Sequence, residues 1–130
     1  MTQFKAVYPI SNEDPNALPV REIERAILFY QSALGFSVVA SDSATAILKR
    51  DDVQIGLVRQ PDHDPLEAGS CYVEVSDVEA LRQELELRGA KPGVLQIQEH
   101  DGRKYRVFFV RECDSLESHD GYCFCFGQQA

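Results

Sequence analysis

The sequence predicts an α+β fold built from two β-α-β-β-β modules in tandem. Two observations lead to this prediction. Strand-like stretches surround two helical stretches in the same order, with one strand before and three after each helix. Matching residues also recur at nearly the same offset, since Glu22 and Asp77 stand at the beginning of the helices and Gly35 and Gly89 at their ends. Such an internal repeat is typical of a duplicated supersecondary unit.

The first module begins with a predicted strand at Phe4 to Ile10 and a loop at Ser11 to Pro19, which is rich in Asn, Asp and Pro. Apolar residues at helical spacing then predict a helix from Glu22 to Leu34. Gly35 follows at the position where a glycine often ends a helix. Three short strands complete the module: Phe36 to Ala40, Ala44 to Lys49 and Val53 to Arg59.

The second module follows a connection at Gln60 to Gly69, which contains two Pro and two Asp. The pattern restarts with a strand at Ser70 to Val75. Ser76 and Glu79 have the Ser-x-x-Glu spacing of a capping box, which predicts that a helix begins there. The remaining predicted segments are strands at Val94 to Glu99, Arg103 to Val110 and Tyr122 to Phe126, with an acidic loop at Arg111 to Asp120.

Neither module alone could cover both its sheet and its helix. We therefore expect modules 1–60 and 70–130 to form one domain over residues 1–130. The net charge of −8 and the lack of a basic stripe argue against a nucleic-acid partner. No apolar stretch approaches the roughly 20 residues that span a membrane, and the N-terminus does not resemble a signal peptide. We expect a cytoplasmic protein without a membrane partner, with its cysteines reduced.

Side-chain alternation along each strand separates a face that packs on the helices from a face that lines a groove. In the strand Arg103 to Val110, it predicts that Tyr105, Val107 and Phe109 belong to the core. A surface that mixes polar and aromatic side chains is suited to binding a small molecule. The residues that alternation predicts on this mixed face include Gln54, Gly56, Ser70, Tyr72, Glu74, Arg106, Phe108 and Cys125.

Several motifs recur in the order and spacing of a known family. They are Ala6 to Ile10, Val20 to Tyr30 and Leu34 to Phe36 in the first module, and Tyr72 to Leu81, Arg88 to Ala90 and Asp120 to Tyr122 in the second. Together they resemble the vicinal oxygen chelate superfamily of glyoxalase I, bleomycin resistance proteins and extradiol dioxygenases. The resemblance covers nearly the whole chain and implies a half-open β-barrel around a groove. Ser11 to Pro19 departs from the pattern as an insertion.

In the metal enzymes of that superfamily, four groove strands each supply one ligand. The resemblance carries these positions to Tyr8, Gly56, Ser70 and Cys125. Glycine has no side-chain donor, Tyr and Ser hydroxyls are weak ligands at neutral pH, and a single thiolate does not make a site. The sequence therefore predicts no metal and no other cofactor.

What remains resembles the bleomycin resistance branch, which implies a homodimer that sequesters a small molecule without catalytic residues. We expect an aromatic or cationic ligand, because aromatic faces attract planar heterocycles and cations. Gly56 is expected to leave room for the ligand. The residues expected to bind it are Tyr8, Gln54, Gly56, Ser70, Tyr72, Glu74, Gln98, Arg106, Phe108 and Cys125.

Two other classes of function stay open. A lyase, isomerase or dioxygenase with a non-standard site could use Cys123 or Cys125 as a nucleophile if a nearby charge lowered the thiol pKa. Alternatively, Glu74 could act as a general base. An interaction protein would use the groove only to form a dimer. A pocket at Tyr8 and Tyr72 would favour binding, and a filled groove would favour interaction.

Overall fold

The computed structural model describes residues 2–10, 14–64, 69–111 and 122–130. Most of the acidic loop predicted at Arg111 to Asp120 lies outside the described residues, as do parts of the two other long connections. Within the described residues the chain forms nine strands and two helices. In chain order they are β1 (Phe4–Pro9), β2 (Leu18–Val20), α1 (Ile23–Ser32), β3 (Ser37–Ser41), β4 (Thr45–Arg50), β5 (Val53–Arg59), β6 (Ser70–Val75), α2 (Val78–Leu87), β7 (Gln96–His100), β8 (Arg103–Arg111) and β9 (Cys123–Gln129).

The strands form two sheets, which confirms the predicted α+β class. Sheet A has five strands in the order β1-β6-β9-β8-β7, and sheet B has four in the order β2-β5-β4-β3. The pairs β2–β5 and β6–β9 are parallel, and the other neighbours are antiparallel. The predicted strands at β5 and β6 agree with the structure in both bounds, and the other strands shift by a few residues.

The first strand of the chain joins the sheet of the second module. β1 runs antiparallel to β6, with Tyr8 opposite Tyr72. The place beside β5 is taken by β2, which runs parallel to it. The prediction of a loop through Pro19 was therefore wrong. Leu18 and Val20 are fully buried, which favours a strand here, and Pro is tolerated because β2 lies at the edge of its sheet.

Helix α2 begins one residue later than the capping box predicts. Asp77 is the N-cap, and its carboxylate accepts a hydrogen bond from the backbone N–H of Ala80 at 3.1 Å, a role that Asp fills well. The Ser76 hydroxyl instead accepts a bond from the backbone N–H of Gln3 at 2.8 Å. This bond ties the beginning of α2 to the N-terminal segment. Neither helix of the described chain is long and apolar enough to cross a membrane.

Aromatic side chains from both modules meet in one buried cluster. The ring of Phe4 lies 5.7 Å from those of both Phe36 and Phe126. Tyr30 of α1 meets Phe124 of β9 edge-on at 5.8 Å. Aromatic pairs in these arrangements contribute about 0.5–1.5 kcal/mol beyond the area that they bury. The core is therefore shared between the modules.

Arg50 connects the two modules through its guanidinium group. It donates two hydrogen bonds of 2.7 Å to the carboxylate of Glu84 in α2 and one of 2.8 Å to the carbonyl of Leu34. It also lies over the ring of Phe4, 4.2 Å from the ring centre. Burial alone would raise the pKa of Glu84, but the bonds and charges of Arg50 and Arg88 outweigh it and lower that pKa below its ordinary value.

Candidate functional site

A cavity of about 560 Å³ lies on the face of sheet A that alternates with the core residues. This volume falls within the range of about 300–1,000 Å³ found for small-molecule sites. Every strand of sheet A contributes to its lining. Four of the predicted site residues line it: Tyr8 from β1, Tyr72 from β6, Gln98 from β7 and Cys125 from β9.

Aromatic rings form one wall of this cavity. The cross-strand pair Tyr8 and Tyr72 stack with their ring centres 6.3 Å apart and their planes 27° from parallel. Tyr105 of β8 meets the Tyr72 ring edge-on at 6.5 Å. Tyr8 keeps 52% of its surface exposed, so its ring is available for further contact. The wall can therefore receive a flat apolar group.

The Tyr72 hydroxyl is buried in this wall. Its oxygen has no hydrogen-bond partner among the described residues. Burial, followed by the nearby Glu74 carboxylate, raises the pKa of Tyr72 to about 12. The hydroxyl therefore stays protonated at neutral pH and retains its capacity to donate a hydrogen bond.

Cys125 lines the cavity as a protonated thiol. Burial, with a smaller contribution from Cys123, raises the pKa of Cys125 to about 11. Because the thiolate is the reactive form of cysteine, this environment suppresses nucleophilic reactivity at neutral pH. The condition that the sequence set for a cysteine nucleophile, a charge that lowers its pKa, is not met at Cys125.

The face assigned to β8 was wrong by one residue. Phe108 was expected in the groove, but it is fully buried and stacks on Phe126 with ring centres 5.4 Å apart. Arg106 was also expected there, but its guanidinium pairs with the carboxylate of Glu79 in α2. Alternation favoured the set with Tyr105, Val107 and Phe109 as the core, because the other set contains Lys104 and Arg106 as well as Phe108 and Val110. The register with β9, which sets Phe108 opposite Phe126, decides the face instead.

Six lining residues were therefore missed by the sequence prediction. Three of them are the β8 residues that were assigned to the core. Alternation grouped these three correctly, but the prediction placed the group on the wrong face of the sheet. The others lie at the ends of β1 and β7, where alternation gives little information. The six residues are Ile10, Glu99, His100, Tyr105, Val107 and Phe109.

The expectation that Gly56 leaves room for a ligand was wrong. A Cβ atom added to Gly56 would lie 2.0 Å from the carbonyl oxygen of Asn16, and the Gly56 N–H donates to the carbonyl of Pro15 at 2.9 Å. The chain's own backbone therefore fills this space. Gln54 is exposed on the same sheet, outside the cavity lining.

Ser70 and Glu74 are half-buried in β6 and share the alternation of Tyr72. Neither is among the residues that line the cavity. Glu74 stands opposite Ala6 of β1 and Gly127 of β9 in the register of the sheet. Of the ten predicted binding residues, the structure therefore gathers Tyr8, Tyr72, Gln98 and Cys125 around the cavity.

The side chains at the four carried-over ligand positions do not fit a metal ion. Tyr8 and Cys125 line the cavity, but Gly56 lies on sheet B against the Asn16 backbone and offers no donor. The Cys125 thiol has a raised pKa, which disfavours the thiolate that binds metals. In the part of the chain that the structure describes, no three His, Cys, Asp or Glu side chains come together as a metal site would require.

Comparison with protein families identifies relatives over most of the chain. The model of the Glyoxalase/Bleomycin resistance protein/Dioxygenase superfamily matches residues 14–126. No curated protein matches the sequence.

Three solved structures illustrate the similarity of fold. The bleomycin resistance determinant encoded on the transposon Tn5 has a TM-score of 0.72 and 21% identity, over 91% of this chain and 98% of that one. A bleomycin-binding protein complexed with bleomycin has a TM-score of 0.72 and 22% identity, over 92% and 100%. The bleomycin-binding protein from Streptomyces verticillus complexed with copper(II)-bleomycin has a TM-score of 0.64 and 22% identity, over 85% of this chain and 90% of that one. At these sequence identities, the similarity shows that this chain shares the fold of the three proteins.

Proposed function

We propose that this chain, which belongs to the Glyoxalase/Bleomycin resistance protein/Dioxygenase superfamily, functions as a metal-free binding protein. It sequesters an aromatic small molecule in the cavity of sheet A. The observation that carries this proposal is the cavity wall of stacked and edge-on tyrosines, Tyr8, Tyr72 and Tyr105. A neutral Tyr72 hydroxyl and a protonated Cys125 thiol support binding rather than nucleophilic chemistry.

The charge of the site favours a cationic group on the ligand. Glu99 contributes a carboxylate to the lining, which contains no Lys or Arg among the described residues. The net charge of the chain is −8, which adds a long-range attraction for cations. A cation placed over the exposed ring of Tyr8 would gain a further cation–π contribution. A planar aromatic cation therefore fits the wall and the charge together.

The test is thermal unfolding of the purified protein, whose metal content is measured first, with bleomycin and with the aromatic cation proflavine. A ligand at a hundredfold excess over its Kd stabilises the folded protein by about 2.7 kcal/mol, so the Tm should rise by several degrees. A stoichiometric metal that itself raises the Tm would contradict the metal-free proposal and favour an enzyme. Failure of both compounds to shift the Tm would contradict binding of aromatic cations.

Tyr8→Ala is expected to weaken binding of whichever of these compounds the wild-type protein binds. The ring is half-exposed, so its loss should lower affinity about tenfold while the Tm of the free protein changes little. Isothermal titration measures the affinity. Leu28→Ala is the matched control, because Leu28 lies on α1, is about as exposed as Tyr8 and is not part of the cavity lining. Equal effects of the two substitutions would contradict a role for the cavity.

We further propose a cytoplasmic homodimer. Sheets A and B end in strands β7 and β3, which expose Ile97 and Val39. Exposed apolar side chains on edge strands favour pairing with another chain, and a twofold dimer is the commonest assembly. The described cysteines Cys71, Cys123 and Cys125 form no disulfide with one another, which is typical of a reducing compartment. Light scattering at several concentrations measures the oligomer, and a monomer at all of them would contradict the proposal.

A further inference from the structure

Tyr72 carries a hydrogen-bond donor that has no acceptor among the described residues. The oxygen is buried, and no described residue lies within hydrogen-bond distance at a suitable angle. Most buried polar groups in proteins have a partner, so each exception needs an explanation. Leaving such a group unpaired costs free energy relative to a phenylalanine of the same shape. A ligand that accepts the bond would recover that cost.

Gly127 of β9 determines where this hydroxyl lies. A Cβ atom at Gly127 would lie 2.7 Å from Cε2 and 2.8 Å from the hydroxyl oxygen of Tyr72. The glycine therefore lets the ring lie flat across β9, towards the edge-on ring of Tyr105. Any larger residue would push the Tyr72 ring, with its hydroxyl, away from this place. Gly127 acts as a positioning residue for the donor.

We propose that the Tyr72 hydroxyl determines specificity and that the ligand is a planar aromatic molecule with a neutral hydrogen-bond acceptor. The acceptor is a ring nitrogen or a carbonyl oxygen that reaches the hydroxyl when the Tyr105 ring turns aside. The inference rests on the proposed function, since it concerns the same cavity. A carboxylate is disfavoured as the acceptor, because Glu99 lines the same cavity and would repel it.

The test compares quinoline with naphthalene, two rings of the same shape that differ in one nitrogen acceptor. Both Kd values are measured at pH 8, where quinoline is neutral, for the wild-type protein and for Tyr72→Phe. The ratio of the naphthalene Kd to the quinoline Kd should be about tenfold larger in the wild type. This ratio cancels the difference in hydrophobicity between the two probes.

Tyr8→Phe is the matched control, because it removes a tyrosine hydroxyl from the same cavity wall. The ratio should stay at its wild-type value in this variant. Gly127→Ala should lower the ratio as Tyr72→Phe does, although it keeps the hydroxyl, because the ring is displaced. If Tyr8→Phe lowers the ratio as much as Tyr72→Phe, the assignment to Tyr72 is overturned.

A second measurement is made without any ligand. Tyr72→Phe should raise the Tm of the free protein, because it removes a buried donor that has no partner while it keeps the ring. Tyr8→Phe should leave the Tm unchanged. A lower Tm for Tyr72→Phe would mean that the hydroxyl is already satisfied, which overturns the inference.

The outcomes separate this inference from the proposed function. If the wild type binds both probes with the same ratio as Tyr72→Phe, the cavity binds aromatic molecules but the inference is overturned. If the wild type binds neither probe, and neither bleomycin nor proflavine, both proposals are overturned together. A ratio that falls in Tyr72→Phe and Gly127→Ala, but not in Tyr8→Phe, supports both.

Discussion

The two sheets each carry a glycine on the last strand of their module, but different groups fill the space beside it. In sheet B, backbone atoms of Pro15 and Asn16 lie against Gly56. In sheet A, the side chain of Tyr72 lies against Gly127, and its ring also lines the cavity. In both sheets a glycine leaves a central strand without a side chain. In sheet B backbone fills the space beside it, whereas in sheet A the space holds the Tyr72 ring that shapes an open cavity.

The difference teaches how one connecting segment can make two sheets of the same domain unequal. The segment between β1 and α1 supplies both the backbone against Gly56 and the short strand β2. Backbone that is held by hydrogen bonds moves little to accommodate another group, whereas a side chain that packs on only one side can rotate. Under the proposed function, sheet A is the one expected to adapt to a ligand, whereas the segment between β1 and α1 makes sheet B part of the scaffold.

The largest effect is expected for Gly56→Ala. The added Cβ meets backbone, so the free energy of unfolding should fall by about 3 kcal/mol, at the upper end for overpacking. Urea unfolding measures it. Gly93→Ala is the control, because its Cβ would meet its nearest neighbour, the Phe109 carbonyl oxygen, at an ordinary 3.4 Å. A loss at Gly56 no larger than at Gly93 would mean that the backbone at Pro15 and Asn16 moves freely, which removes the contrast between the sheets.

Arg50→Met should lower the free energy of unfolding by about 2 kcal/mol. This is less than the loss on breaking a fully buried ion pair, because Glu84 is partly exposed. The substitution removes the donor to Leu34 and leaves Glu84 with Arg88. It tests whether the two halves depend on one another through this junction. Arg25→Met removes an exposed pair with Glu22 at 3.9 Å and should cost under about 0.5 kcal/mol. Equal losses for the two variants would contradict a special role for the junction.

The smallest expected effect concerns pH. The folded-state pKa of Glu84 lies below its ordinary value, so the stability that it contributes is present above pH 4.5 and is lost as the pH falls through the folded pKa. Glu84→Gln should therefore flatten the loss of stability between pH 7 and pH 3, by less than about 1 kcal/mol because the side chain is partly exposed. Urea unfolding at both pH values measures the difference. An unchanged slope would contradict the lowered pKa.

Much of the fold could be read from local patterns. Two helices and all strands except β2 were predicted from periodicity and turn residues, because these signals lie within a few neighbouring residues. On β6 and β9, where one alternate set is clearly apolar, the predicted faces agree with the structure, and Tyr72 and Cys125 were found in this way. On β8 the set that packs in the core also carries the exposed Lys104 and Arg106, and the prediction failed.

The sequence by itself determined the order of the elements other than β2, the caps of the helices to within one residue, the family and part of the aromatic wall. These features depend on the period of side chains along one segment and on residues such as Gly35, with φ of +75°, whose conformation other residues rarely adopt. Only the tertiary structure decided that β1 joins the second sheet, that the backbone near Asn16 fills the space at Gly56, and that Phe108 packs on Phe126. Those outcomes depend on contacts between distant segments, where several arrangements bury similar apolar surface and only packing in three dimensions distinguishes them.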